Sequence, residues 1–164
     1  MIALDDRPSQ DLETAVAARS GPVFVLKGPV DADALQGAGT RNLVMPIAAP
    51  ANRAEVSNIA CRIPQALRLL DAMATGDTSY RLCVLIAQAD DPLTHSLAAL
   101  SETLIRYGTG HLTMRPVQVN LLRYRTTPEG YLRAADMVSA LFSGRLDGVC
   151  GQVFVLNDLG ELPS

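Results

Sequence analysis

The sequence predicts a three-layer α/β fold, a mostly parallel sheet of about six strands with helices on both faces, reduced in its N-terminal half. Short, largely apolar runs at Val23–Leu26, Leu43–Met45, Leu82–Ala87, Val117–Leu122 and Gly151–Leu156, of which only Val117–Asn120 alternates with polar residues, read as strands covered on both faces. Between them lie stretches whose apolar residues fall at helical spacing. The segment Arg81–Tyr124 alone runs strand, helix, strand, the grammar of a right-handed βαβ crossover.

Composition agrees with one packed domain over residues 1–164. Hydrophobic residues make up 48% and charged ones 19%, so a folded chain is expected rather than a disordered one. With no Trp and 4% aromatics, the core must be aliphatic. The net charge of −3 and the scattered basic residues argue against a nucleic-acid surface, which needs a clustered basic face. No apolar run is long enough for a membrane span, and MIALDDRPSQ carries acids where a signal peptide needs Lys or Arg, so the expected location is the cytoplasm. Cys61, Cys83 and Cys150 are widely spaced among apolar residues and read as buried, reduced thiols.

Taken in order, Met1–Leu4 is a short apolar start followed by the turn Asp5-Asp6-Arg7-Pro8. Ser9 is placed to cap a helix running to about Ala18, with Asp11 and Glu13 in its first turn. Gly21-Pro22 ends it before the strand Val23–Leu26, and Asp31–Gly39 is a weak helical turn or a loop. Leu43–Met45 is a strand closed by Pro46. A helix to about Ala74 carries Val56, Ile59, Ile63, Leu67, Leu70 and Met73. Pro64 interrupts it, because an interior proline costs roughly 3 kcal/mol, so this helix is either kinked or begins its regular part near Pro64. After Leu82–Ala87 comes the acidic turn Asp90-Asp91-Pro92, then a helix with Leu93, Leu97, Leu100 and Leu104 on one stripe, ended by Gly108-Thr109-Gly110. Thr126-Thr127-Pro128-Glu129 starts the last helix with a capping arrangement, and Gly151–Leu156 closes the sheet.

From Asn58 onward the order of elements resembles the short-chain dehydrogenase/reductase family. Asn58 falls where that family has the Asn of its fourth helix, and Met73 near that helix's end. Arg81-Leu82-Cys83-Val84 is similar to the strand carrying the catalytic Ser, Val119-Asn120 to the "VN" of the sixth strand, and Gly151-Gln152-Val153-Phe154-Val155 to the last strand. The resemblance implies a Rossmann-like fold. In the preferred register Met1–Leu4 is the first strand, Ala3–Gln10 the glycine-rich turn and Val23–Leu26 the second strand, with the family's third, edge strand lost. An alternative register makes Met1–Arg7 the second strand.

The family's chemistry does not map onto these positions. A dinucleotide needs glycines after the first strand so that backbone amides can approach its pyrophosphate. Here Leu4, Pro8 and Gln10 stand there, with Asp5 and Asp6 adding negative charge. The positions of the catalytic Tyr and Lys, four apart on one helix face, hold Leu93 and Leu97, and the Ser position falls on Ala87. No cofactor, metal or catalytic residue is therefore assigned.

The resulting expectation is a catalytically inactive, short-chain dehydrogenase-like protein that serves interaction or assembly. Its partner is a second copy, as dimer or tetramer, or an active dehydrogenase subunit. In that family two neighbouring helices build the subunit interface, which maps here to Ile63, Leu67, Leu70, Leu93, Leu97, Leu100 and Leu104. The same stripes could equally face the chain's own sheet. The alternative is a ligand-binding protein or enzyme with a repurposed crevice at the strand C-terminal ends, built from Asn58, Gln88, Asp90 and His95.

Overall fold

The computed structural model describes residues 7–29, 31–112 and 114–157. In chain order they form α1 (Arg7–Ser20), β1 (Phe24–Val25), α2 (Ala32–Gly37), β2 (Asn42–Ile47), α3 (Arg53–Ala60), α4 (Arg62–Met73), β3 (Tyr80–Ala87), α5 (Pro92–Gly108), β4 (Val117–Tyr124), α6 (Pro128–Phe142) and β5 (Val153–Val155). The strands make one five-stranded sheet in the order β1-β2-β3-β4-β5, and every pairing is parallel. The predicted α/β class is therefore observed, while the expected strand Met1–Leu4 lies outside the described residues.

Alternation along each strand splits the interior into two cores. Leu43, Met45, Leu82, Val84, Ile86, Val119 and Leu121 face α2 to α5. Val44, Cys83, Leu85, Leu122 and Tyr124 face α1 and α6. The central strands β3 and β4 are buried on both sides, which is why β3 reads as an unbroken apolar run from Leu82 to Ala87, whereas β4 carries Gln118, Asn120 and Arg123 among its apolar residues. On the second face Arg19 pairs with Asp136, and Ser139 Oγ donates to Arg19 O at 3.1 Å, tying α1 to α6.

This arrangement fixes the connections. The successive connections through α2, through α3 and α4, and through α5 all cross the first face and step the same way along the sheet. The β4–α6–β5 connection steps the same way but crosses the other face, so it has the opposite hand. Since one hand dominates parallel crossovers heavily, such a reversal within one sheet is an uncommon feature.

Helix starts follow their capping chemistry. Asn52, Asp91 and Thr127 accept from the backbone N–H three residues on, at 3.0, 2.8 and 3.0 Å, and Pro92 and Pro128 follow directly at the first helical positions. Helix α1 begins at Arg7, so Ser9 lies in its first turn rather than at its cap. The Pro64 conflict is resolved by a break. Cys61 separates α3 from α4, and the proline falls in the first turn of α4, where a missing N–H costs least.

Two expectations about β1 and β2 need correction. The preferred register gives Val23–Leu26 a second-strand place, with another strand between it and Leu43–Met45, but Phe24 and Val25 pair directly with Leu43 and Val44. No strand intervenes, so β1 occupies the place expected for the first strand. Pro46 does not close β2 either, since the strand continues to Ile47 and pairs with β3 throughout. It is tolerated because its missing N–H faces β1, whose pairing stops just short of it.

Candidate functional site

In open α/β sheets, ligand sites form beyond the strand C-termini, where neighbouring connections diverge. Among the described residues the strand order does not reverse, so divergence there arises from the change of face. The β3–α5 loop, with Gln88, Asp90 and Asp91, leaves toward one face, and the β4–α6 loop, Arg125 to Thr127, leaves toward the other. The crevice candidates Gln88, Asp90 and His95 thus lie on one side of the split. The residues opposite them, Arg125 to Thr127, depend on the placement of α6, and the sequence marks Thr126 and Thr127 only as a helix start.

At the split, protein groups tie the strand ends to one another. Gln88 donates its backbone N–H to Tyr124 O at 2.7 Å, and its Nε2 donates to Arg123 O and Leu156 O at 3.3 and 3.0 Å. This candidate ligand contact is therefore spent binding three strand ends together. On the other side, a Cβ on Gly130 would lie 2.1 Å from Arg125 O, so the β4–α6 loop is folded tightly onto the first turn of α6. Asp91 caps α5, and its bonds to Thr94 hold the carboxyl below its ordinary pKa of 3.8. A negatively charged cap already neutralises that helix end, leaving little attraction for a second anion.

The other candidates do not converge. Asn58 on α3, Asp90 after β3 and His95 in the first turn of α5 are all exposed, and their side chains make no hydrogen bond or ion pair among the described residues. No group of three or more His, Cys, Asp or Glu suited to a metal ion occurs among the described residues. Glu102 and Arg123, 3.4 Å apart, bridge α5 and β4 while each is about three-quarters buried. Tyr124 and Tyr131 face each other with ring centroids 6.2 Å apart, and burial, then the second ring, pushes the Tyr124 phenol up to about 12. A phenol held that high stays protonated at neutral pH and is no base.

At the end of β1, a dinucleotide fold presents backbone N–H groups to a pyrophosphate. Here the polarity is inverted. The carbonyls of Leu26 and Gly28 converge on Arg62 Nη2 at 2.8 and 3.3 Å. The reason is visible in the ladder. Leu26 donates to Val44 O at 2.8 Å, and the next donor along β2, opposite the Leu26 carbonyl, belongs to Pro46, which has none. Arg62 supplies the missing donor. Of the turn positions unfit for a dinucleotide, Leu4, Asp5 and Asp6 lie outside the described residues, whereas Pro8 and Gln10 are part of α1.

The proposed interface stripe divides. Ile63, Leu67, Leu70 and Leu97 are buried against the chain's own sheet, with 0 to 3% exposure, so they cannot meet a partner. This corrects their assignment, because the helical spacing that marks an interface marks a core face equally well. Leu93 and Leu104 are partly buried at the core's margin, and Leu100 is 37% exposed. Tyr107, at 82%, extends the outer side, three residues beyond Leu104 and so in step with the helical spacing of the stripe. Of the three thiols expected to be buried, only Cys83 is; Cys61 is exposed and Cys150 half-buried.

Parallel strands, helices on both faces and this order of elements define the Rossmann-like fold of the short-chain dehydrogenase/reductase type. The chain is similar to the enoyl-[acyl-carrier-protein] reductase (NADH) of Aquifex aeolicus VF5, with a TM-score of 0.62 and 11% identity over 90% of this chain and 88% of that one. A short chain dehydrogenase from Mycobacterium smegmatis matches at TM-score 0.53 and 15% identity, covering 92% of this chain and 67% of the other. An oxidoreductase of the same family from Brucella ovis, whose structure holds a partially ordered NAD, matches at 0.52 and 12%, covering 92% and 74%. The sequence matches no family model and no curated protein. Identities this low speak for the fold. Among the described residues, no helix is long and apolar enough to cross a membrane.

Proposed function

We propose that the protein is a non-catalytic assembly module of the short-chain dehydrogenase-like fold, and that it pairs with a second copy of itself through the outer side of α5. The observation that carries this reading is the row Leu93, Leu100, Leu104 and Tyr107. These residues recur at helical spacing on one side of α5, where Leu100 and Tyr107 keep large apolar surfaces in water. A helix face of this kind, set against its own copy about a twofold axis, is self-complementary by symmetry.

The internal bonds at the ends of the strands support the non-catalytic part. Leu97 and Leu93, which match the family's proton-transfer positions, pack against the core. Arg62 and Gln88 occupy with internal bonds the places where ligands would need partners. The alternative crevice of Asn58, Gln88, Asp90 and His95 gains no comparable support.

Light scattering on the purified chain and on Leu100→Lys tests the pairing. The expected result is a dimer that becomes a folded monomer in the variant, with unchanged circular dichroism. A monomer in both overturns self-pairing. Capture of an active dehydrogenase in its place would move the same surface to a hetero-assembly. Turnover of NADH with any enoyl or carbonyl substrate would sink the non-catalytic reading.

A further inference from the structure

A cavity of about 470 Å³ opens at the end of the sheet opposite the crevice, beneath the starts of β2 and β3. Its apolar wall is Leu35, Met73 and Tyr80, and its polar rim is Gln36, Thr40, Arg41 and Thr78. The size lies within the usual range for small-molecule pockets. Leu35 and Tyr80 are core residues with 2 and 6% exposure, so they form the cavity's floor and show it only their edges, beside the partly buried Met73. The rim is braced as well. Thr40 Oγ1 donates to Pro22 O at 2.9 Å and accepts from Asn42 N at 3.2 Å, and Arg41 Nη1 donates to Asp77 O at 3.2 Å.

The lining carries one formal positive charge and no acid. Arg41 makes no ion pair among the described residues, and its one hydrogen bond fixes a single corner of the guanidinium. We infer that this cavity binds a small monocarboxylate with an apolar body, the carboxylate on Arg41 and the body against Met73 and the edges of Leu35 and Tyr80. A carboxylate suits one guanidinium edge and one charge, whereas a phosphate dianion would want further cations that the lining does not provide. Gln36 and Thr78 add neutral hydrogen-bonding partners at the mouth. The inference is independent of the pairing through α5, since none of the lining residues belongs to that helix.

The methionines localise the test. Met73 lines this cavity, Met137 lines a separate groove between α6 and β5, and Met114 is 95% exposed. Methyl-¹³C methionine spectra are recorded on the full chain during titration with 1-naphthylacetate and with its uncharged amide. The expected result is a saturable shift of Met73 with Met114 and Met137 unmoved. The amide and the exposed-site variant Arg41→Gln should each bind about tenfold more weakly or worse, as loss of a charge-assisted bond implies. Equal binding of acid and amide, undiminished binding to Arg41→Gln, a response at Met137 instead, or no response at any methionine would each overturn the proposal.

Discussion

Arg62 Nη2 lies 2.8 Å from the carbonyl oxygen of Leu26, in the place a backbone N–H of residue 46 would hold if that residue were not proline. One side chain on α4 thereby completes a ladder interrupted on β2. The same contact turns the loop after β1 into a cluster of carbonyls around a cation.

Replacing Arg62 by Gln should destabilise the chain by about 1–2 kcal/mol, the worth of a part-buried bond from a charged donor. The loss should concentrate at β1, read as faster amide exchange at Leu26. Pro46→Ala restores the backbone donor, so it should rescue much of the loss in the double variant while doing little by itself. Strictly additive effects would mean that Arg62 acts elsewhere.

Gly130→Ala should be among the most damaging small changes, costing roughly 3 kcal/mol through overpacking. The added carbon would meet Arg125 O at 2.1 Å, and neither the helix nor the strand end can yield cheaply. At Gly76 an added Cβ would meet nothing within 4 Å, so Ala there should be accepted within about 0.5 kcal/mol. Urea melts of both variants decide the comparison.

Leu97 and Leu100 are three residues apart and should differ sharply. Leu97→Ala empties a fully buried site and should cost about 2–5 kcal/mol, whereas Leu100→Ala should cost under about 1 kcal/mol in the monomer. Similar losses measured at low protein concentration would contradict the division of the stripe.

Thiol titration should distinguish all three cysteines. Cys61 is exposed and should react with a disulfide reagent first, Cys150 more slowly. Burial pushes the Cys83 thiol up to about 12, so it should react only after unfolding. Fast labelling of Cys83 in the native state would show that the core around β3 opens readily.

Asp91 sets an acid dependence. Folding lowers its pKa, so its contribution is present above the ordinary value of 3.8 and is lost as pH falls through the folded one. Asp91→Asn keeps a capping oxygen without the charge. The stability gap between wild type and this variant should therefore close on acidification below about pH 4. A gap independent of pH would remove the charge from the account.

Much of the architecture is legible in the chain because its signals are local. Apolar runs such as Leu82–Ala87 mark buried strands, Asn52, Asp91 and Thr127 stand before helix starts, and Pro64 marks the break between α3 and α4. The absence of Tyr and Lys at Leu93 and Leu97 is likewise plain from residue identity. What the chain alone leaves open are relations between distant segments. Periodicity shows that Leu97 and Leu100 lie near one helix face, but only packing decides that one enters the core and the other meets water. The direct pairing of β1 with β2, the crossing of α6 to the other face and the contact of Arg62 with Leu26 all join residues far apart in sequence. No local pattern encodes such partners, because strand register and side-chain hydrogen bonds are settled by which surfaces finally come together.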